Sequence, residues 1–280
     1  MKPDAGVPRR GHPAPASDPP GLHPAALNRA LGLRPAALVW RQYRLERKLF
    51  WRNPSAAFFN FLLPLLFLGF FGAIFSSNQK DLNVIVPGIA GMSVLSTTFS
   101  ALAFNLTFLR ESGVLKRIRG TPLPTGAYLG GVAANAVTNT ALQVTIILVA
   151  GKLIFGVDGL RDPVELVVFV ALGVLCFASL GVAFSHVIPN FDSAPAYVNA
   201  VFLPVIFISG VFYDANNAPG FLKQIAEILP LKHLIDGLTG AMVNGRGLAA
   251  HTGALAVLGA WAIFGVVFAI RGFSWESRRT

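Results

Sequence analysis

AAFFNFLLPLLFLGFFGAIF, residues 56–75, runs for twenty residues without a charge. At about 1.5 Å per residue a helix of that length reaches roughly 30 Å, the thickness of bilayer hydrocarbon. The stretch therefore reads as a membrane crossing. Working outward, charge-free or nearly charge-free runs recur at 84–109, 125–150, 164–185, 196–212 and 252–270. Six spans predict an all-α integral membrane protein. The fifth is the shortest and holds Pro204 and Gly210, which predicts a kinked or interrupted helix. Composition agrees: hydrophobic residues are 54% and charged residues 13%, against roughly 25% charged in soluble domains. A disulfide scaffold is excluded because Cys176 stands alone.

The formal charge of +10 is unevenly placed. Six spans put both termini on one side. The segment before residue 56, the 110–124 and 186–195 loops and the C-terminal tail hold 17 of the 23 Lys and Arg, while acidic residues divide 6 to 7 between the faces. By the positive-inside rule both termini are cytoplasmic. The basic balance then marks orientation rather than a nucleic-acid surface. No short apolar run with a small-residue cleavage site precedes Ala56, so no cleaved signal peptide is expected.

Residues 1–35 carry eight of the 19 prolines and read as a disordered cytoplasmic tail, as do the last residues, 272–280, as a short one. Residues 36–54 differ. At 100° per residue Arg41, Arg44, Lys48 and Arg52 share an arc of roughly 80°, with Leu38, Val39, Leu45, Leu49 and Phe50 on another side. Trp40 and Trp51 flank the basic stripe. This predicts an interfacial helix with its cations at lipid phosphates and its indoles at headgroup depth; a topology anchor with no further role is the plainer alternative.

Between spans two and three lies RESGVLKRIRGTPLP, residues 110–124. Val114, Leu115 and Ile118 fall on one face of a short helix that Pro122 and Pro124 end. Periodicity alone leaves two roles open, docking into a groove of another protein or lying on anionic lipid. Before span six, Phe221, Leu222, Ile225, Ile228 and Leu229 recur at helical spacing. Pro230 breaks the run, and Leu231, Leu234, Ile235, Leu238 and Met242 repeat it. Both halves are too short to cross. They predict paired amphipathic helices lying on or dipping into the outer surface, as a gate or as a simple plug.

Polar residues inside the spans form two stripes: Ser93, Ser96, Thr97 and Ser100 in span two, and Asn135, Asn139 and Gln143 in span three. In hydrocarbon such groups face a partner helix or a wet cavity, so they serve helix packing or a route for an amphiphile. Gly126 with Gly130, and Ala127 with Gly131, predict close helix packing. An ion-coupled carrier needs ionisable groups at membrane depth, and the spans offer only Glu165 at an edge, with His186 just beyond one. The five histidines show no metal-ligand spacing, and no nucleophile–base arrangement is evident, so neither an active site nor a metal is expected. The only Gly-Lys pair, Gly151-Lys152, lacks the glycine and Ser/Thr of a phosphate loop. ATP energy must then come from another polypeptide. The rivals are an ion-coupled secondary transporter and a membrane scaffold.

Two stretches resemble a known family. Residues 110–124 are similar to the E-x-G-x-L-x-R-x-x-x-T-P-x-P loop of type 2 ATP-binding cassette exporter permeases, and the chain most resembles the daunorubicin-resistance, drug-export kind. Ser209-Gly210-Val211-Phe212, Pro219-Gly220-Phe221-Leu222 and Leu229-Pro230-Leu231-Lys232-His233-Leu234-Ile235-Asp236 resemble the elements before that family's last span. The resemblance implies a transmembrane domain over 55–271 in a bacterial plasma membrane. It makes the loop a coupling helix whose Glu111, Gly113, Val114, Leu115, Lys116, Arg117, Ile118 and Arg119 face an ATPase. It also implies two ATPase copies holding ATP and Mg, a second permease copy or a similar permease, and outer gate helices with Phe221, Leu222, Ile225, Pro230, His233 and Asp236. Ser112 stands where that family often has Arg or Lys. The implied cargo is an amphiphile, drug-like or lipid-like, with lipid or polysaccharide export as the alternative.

Overall fold

The computed structural model describes residues 34–121, 123–157, 160–215, 218–245 and 247–272. The proline-rich segment up to residue 33 and the tail from 273 lie outside it. The described residues are helical, without a strand. In chain order the helices are α1 (Pro35–Arg52), α2 (Pro54–Ile74), α3 (Gln79–Leu95), a π turn (Ser96–Ser100), α4 (Ala101–Glu111), α5 (Val114–Arg119), α6 (Thr125–Phe155), α7 (Pro163–Phe184), α8 (Ala194–Ile208), α9 (Gly220–Ala226), α10 (Pro230–Thr239) and α11 (Thr252–Gly272).

The chain is a multi-pass membrane protein: five helical stretches are long and apolar enough to cross, Ala57–Ile74, Gln79–Glu111, Gly126–Phe155, Pro163–Phe184 and Leu248–Arg271. The fifth expected span, 196–212, corresponds to α8, which has 15 residues and stops at Ile208. Gly210 follows with φ +79°, a left-handed conformation that turns the chain back. Local signals set the other ends. The Asn78 side chain accepts the Lys80 N–H at the start of α3, and Asp162 accepts the N–H groups of Val164 and Glu165 at the start of α7.

The core is centred on α3, which is buried from Ile85 to Leu95 and packs on α2, α6, α7 and α10. The surprise is α10. An amphipathic helix at the surface was one expectation, yet Leu231, Lys232, His233, Leu234, Ile235 and Leu238 are all buried, against α3, α7 and α11. The turn before α10 reaches the middle of α11, where Trp261 Nε1 donates to the Ile228 carbonyl at 2.9 Å. Missing side chains permit this insertion. A Cβ on Gly237 would lie 2.2 Å from the Phe169 ring, and one on Gly91 2.8 Å from Ile235; nearby, one on Gly88 would lie 2.0 Å from the Val211 carbonyl oxygen in the turn after α8. At the opposite end of the bundle, Leu102, Leu106, Leu115, Tyr128 and Val132 form a second apolar cluster with Ala178, Val182 and Ala269.

Candidate functional site

The motif helix α5 begins at Gly113, whose φ of +73° lets the chain leave α4 sharply. Leu115 is buried in the second cluster with Val114 and Ile118 half-buried beside it, so one face anchors the helix. Lys116 and Arg117 are exposed on the other face; Arg119 closes the helix. The neighbouring motif residues hydrogen-bond within the chain instead. Arg110 donates to the carbonyls of Ser185 (2.9 Å) and Ile188 (2.6 Å), and the Glu111 carboxylate accepts the Phe191 N–H at 2.5 Å. Together they tie α4 to the loop between α7 and α8.

Helix α1 does not lie alone. It runs beside the start of α6, where Gly131 leaves room for the Gln42 side chain and Gly130 for Val39. Thus Gly130 and Gly131 do serve close packing, with α1 as the partner, whereas Gly126 has nothing within 4 Å and does not. Tyr43 Oη accepts from Thr138 Oγ1 at 3.2 Å, and Arg47 Nη1 donates to Asn139 Oδ1. At 31 residues α6 is about 46 Å long, about 16 Å more than the hydrocarbon needs. Arg41, Arg44, Lys48 and Arg52 are exposed on α1, as are Trp40 and Trp51.

Between α1, α4 and α6, and roofed by α5, lies a cleft of about 610 Å³. Its polar lining is amide-rich: Gln42, Asn53, Asn60, Asn105, Asn135 and Asn139, with Thr97 and Glu46. The Gln42 amide donates to Glu46 Oε1 at 2.8 Å. Burial pushes the Glu46 carboxyl above the usual carboxylate range, and the Gln42 hydrogen bond partly opposes that rise. Asn135 Oδ1 is buried without a hydrogen-bond partner.

The two predicted polar stripes thus divide. Thr97, Asn135 and Asn139 reach the cleft. Ser93 donates to its own helix at Ala90 (2.7 Å), Gln143 donates to the Asn60 carbonyl (2.8 Å), and Ser96 and Ser100 do not line the cleft. Thr97 also meets Thr140, Oγ1 to Oγ1 at 3.0 Å. Sequence reasoning passed over Gln42, Glu46 and Asn53. At 100° per residue all three fall between Leu38, Leu45 and Leu49 on one flank and Val39 and Phe50 on the other, so the apolar side of α1 carries polar groups that a purely lipid-facing side would lack.

At the α10 end the charges are paired. Lys232 Nζ lies 2.8 Å from Asp236 Oδ2 and 3.2 Å from Glu227 Oε1, and His233 Nε2 is 2.9 Å from the Glu227 carbonyl. The wholly buried Glu165 sits 2.6 Å from His251 Nδ1. Of the other predicted gate residues, Pro230 is buried, Phe221 and Ile225 are exposed, and Leu222 is half-buried. Among the described residues no group of three or more His, Cys, Asp and Glu could hold a metal ion.

Set against known proteins, residues 36–243 match the model of the family described as ABC-2 type transporter. The chain is 28% identical over 206 residues to the putative transport permease ycf38 of Porphyra purpurea, covering 69% of this chain and 71% of that one. Nodulation protein J of Rhizobium meliloti is 27% identical over 74% of this chain and 80% of its own. The linearmycin resistance permease protein LnrN of Bacillus subtilis is 25% identical over 62% of this chain and 45% of its own.

Proposed function

Because the chain belongs to the ABC-2 type transporter family and is the permease subunit of an ABC exporter, we propose that α5 is the part its ATPase moves. The carrying observation is the two-sided character of that helix: Leu115 is locked in an apolar cluster while Lys116 and Arg117 are free at the surface. A partner that grips the basic side displaces the cluster, and with it α4, α6, α7 and the end of α11. Glu111 and Arg110 act as ties to the 186–193 loop and carry the displacement on.

In this reading α8 is the fifth of six crossings, short because Gly210 turns the chain back early, and both termini face the cytoplasm of a bacterial plasma membrane. Two ATPase copies holding ATP and Mg act on two permeases, this chain paired with itself or with a similar one. The exposed Arg41, Arg44, Lys48 and Arg52 rest at lipid phosphates. The inserted α9–α10 pair closes the outer end. The cargo is an amphiphile of drug-like or lipid-like character, the drug-like reading being supported by the similarity to the linearmycin resistance permease. Glu165, His251 and Lys232 have local partners, which argues for structural charges over an ion-coupling relay.

Co-purification from cells carrying the permease and its ATPase tests the docking claim. Arg117→Glu, alone or with Arg119→Glu, is expected to abolish capture of the ATPase while the permease still inserts. Intact capture with undiminished substrate-stimulated hydrolysis would refute it.

A further inference from the structure

We propose that the cleft between α1, α4 and α6 binds the headgroup of an uncharged amphiphile rich in hydroxyl or amide groups. This deepens the permease reading and rests on it. The lining argues for the headgroup class. Side-chain amides donate and accept, so they pair with hydroxyls and amides in either sense, whereas phosphate and sulfate headgroups are held by Arg and Lys. Among the described residues six amides and the Thr97 and Tyr128 side chains line the cleft, and neither Lys nor Arg does.

Arg47 of α1 is already engaged on Asn139. Among the described lining residues the one carboxyl, Glu46, is already engaged within the wall by the Gln42 amide, which leaves it less free to hold a cationic headgroup; burial pushes its pKa up. Asn135 Oδ1 supplies the missing half of a hydrogen bond. It is buried and unpaired, a costly state that a ligand hydroxyl relieves. The volume of about 610 Å³ lies within the range of small-molecule pockets, about 300–1,000 Å³. Leu45, Leu49, Leu102 and Val132 complete the wall with apolar surface for the first carbons of an alkyl chain.

The test is photolabelling of the full chain in phosphatidylcholine nanodiscs, using dodecyl maltoside with a diazirine next to the headgroup and mapping adducts by peptide mass spectrometry. Adducts are expected within 42–53 and 128–139. Unlabelled dodecyl maltoside should displace them, and dodecyl sulfate and dodecyltrimethylammonium should not. Asn135→Leu and Thr97→Val together should weaken labelling by about tenfold, the value of one or two hydrogen bonds. Adducts confined to other helices, or equal competition by all three headgroups, would overturn the proposal on the unaltered chain even if the variants fail to fold. Capture of the ATPase is scored on the same preparation. Normal capture with labelling elsewhere removes the site and leaves the permease reading standing, while labelling in the cleft without capture does the reverse.

Discussion

The two ends of the bundle solve the same problem, polar groups within an apolar body, in opposite ways. At the α10 end Lys232, Asp236 and Glu227 pair with one another and Glu165 pairs with His251, in a setting packed so tightly that Gly88 and Gly237 admit no methyl group. At the α5 end amides stand around an open cleft, and Asn135 keeps an unpaired buried oxygen. Closed packing around neighbouring opposite groups is what a plug requires, and it holds here even though Glu165 Oε2 keeps no hydrogen-bond partner. Unsatisfied amides beside free volume are what a binding surface requires, because their partners arrive with the ligand.

That contrast can be broken at either end, and the single buried thiol, Cys176, provides the readout: a thiol-reactive dye reports its exposure as the protein is heated. The largest effect is expected from His251→Ala, which strands the buried Glu165 and should cost about 3 kcal/mol. The double change Glu165→Leu with His251→Phe should recover most of it; no recovery would mean that the pair is not what stabilises this end. Next is Gly88→Ala. Its new methyl meets backbone rather than a mobile side chain, and overpacking of this kind costs about 2 kcal/mol. Gly126→Ala is the control, since nothing lies within 4 Å of that position, and its melting should be unchanged or slightly raised. Smallest is Asn135→Leu at the α5 end, within about 0.5 kcal/mol of wild type, because it removes an unpaired group and breaks no hydrogen bond of that oxygen. A large loss there would assign the amide to stability and merge the two ends into one kind of structure.

Most crossings were legible because hydrocarbon thickness and charge exclusion act on the chain locally: the run quoted first, 56–75, became α2 at Pro54–Ile74, and 164–185 became α7 at Pro163–Phe184. The depth of α10 was not legible. The helix read as lying on or dipping into the surface, but the i, i+4 spacing of Lys232 and Asp236 lets them pair with each other, and Glu227 completes the set across the Pro230 break. Paired charge can be buried where free charge cannot. Part of the cleft was visible in Asn135 and Asn139, whose spacing on α6 is fixed by helical period. Its opposite wall was missed because the basic stripe of α1 drew attention away from Gln42, Glu46 and Asn53. Nor does spacing reveal that Arg47 crosses 92 positions to reach Asn139, a contact created only when α1 settles against Gly130 and Gly131.

The π turn at Ser96–Ser100 gives the long helix a change of phase. Gln79–Glu111 is 33 residues, about 50 Å of nearly continuous rod. A wide turn holds one residue more than an α-helical one, which turns the side chains below it about 100° out of step with those above. The upper segment can thus keep its small side toward α10, where Gly91 meets Ile235, while the lower segment directs Leu102 and Leu106 toward α5. Gly181 of α7 presses on the backbone of Phe99 at this level. If α5 is pulled as proposed, rotation of the lower rod would be absorbed or transmitted at one defined height, the contact of Phe99 with Gly181.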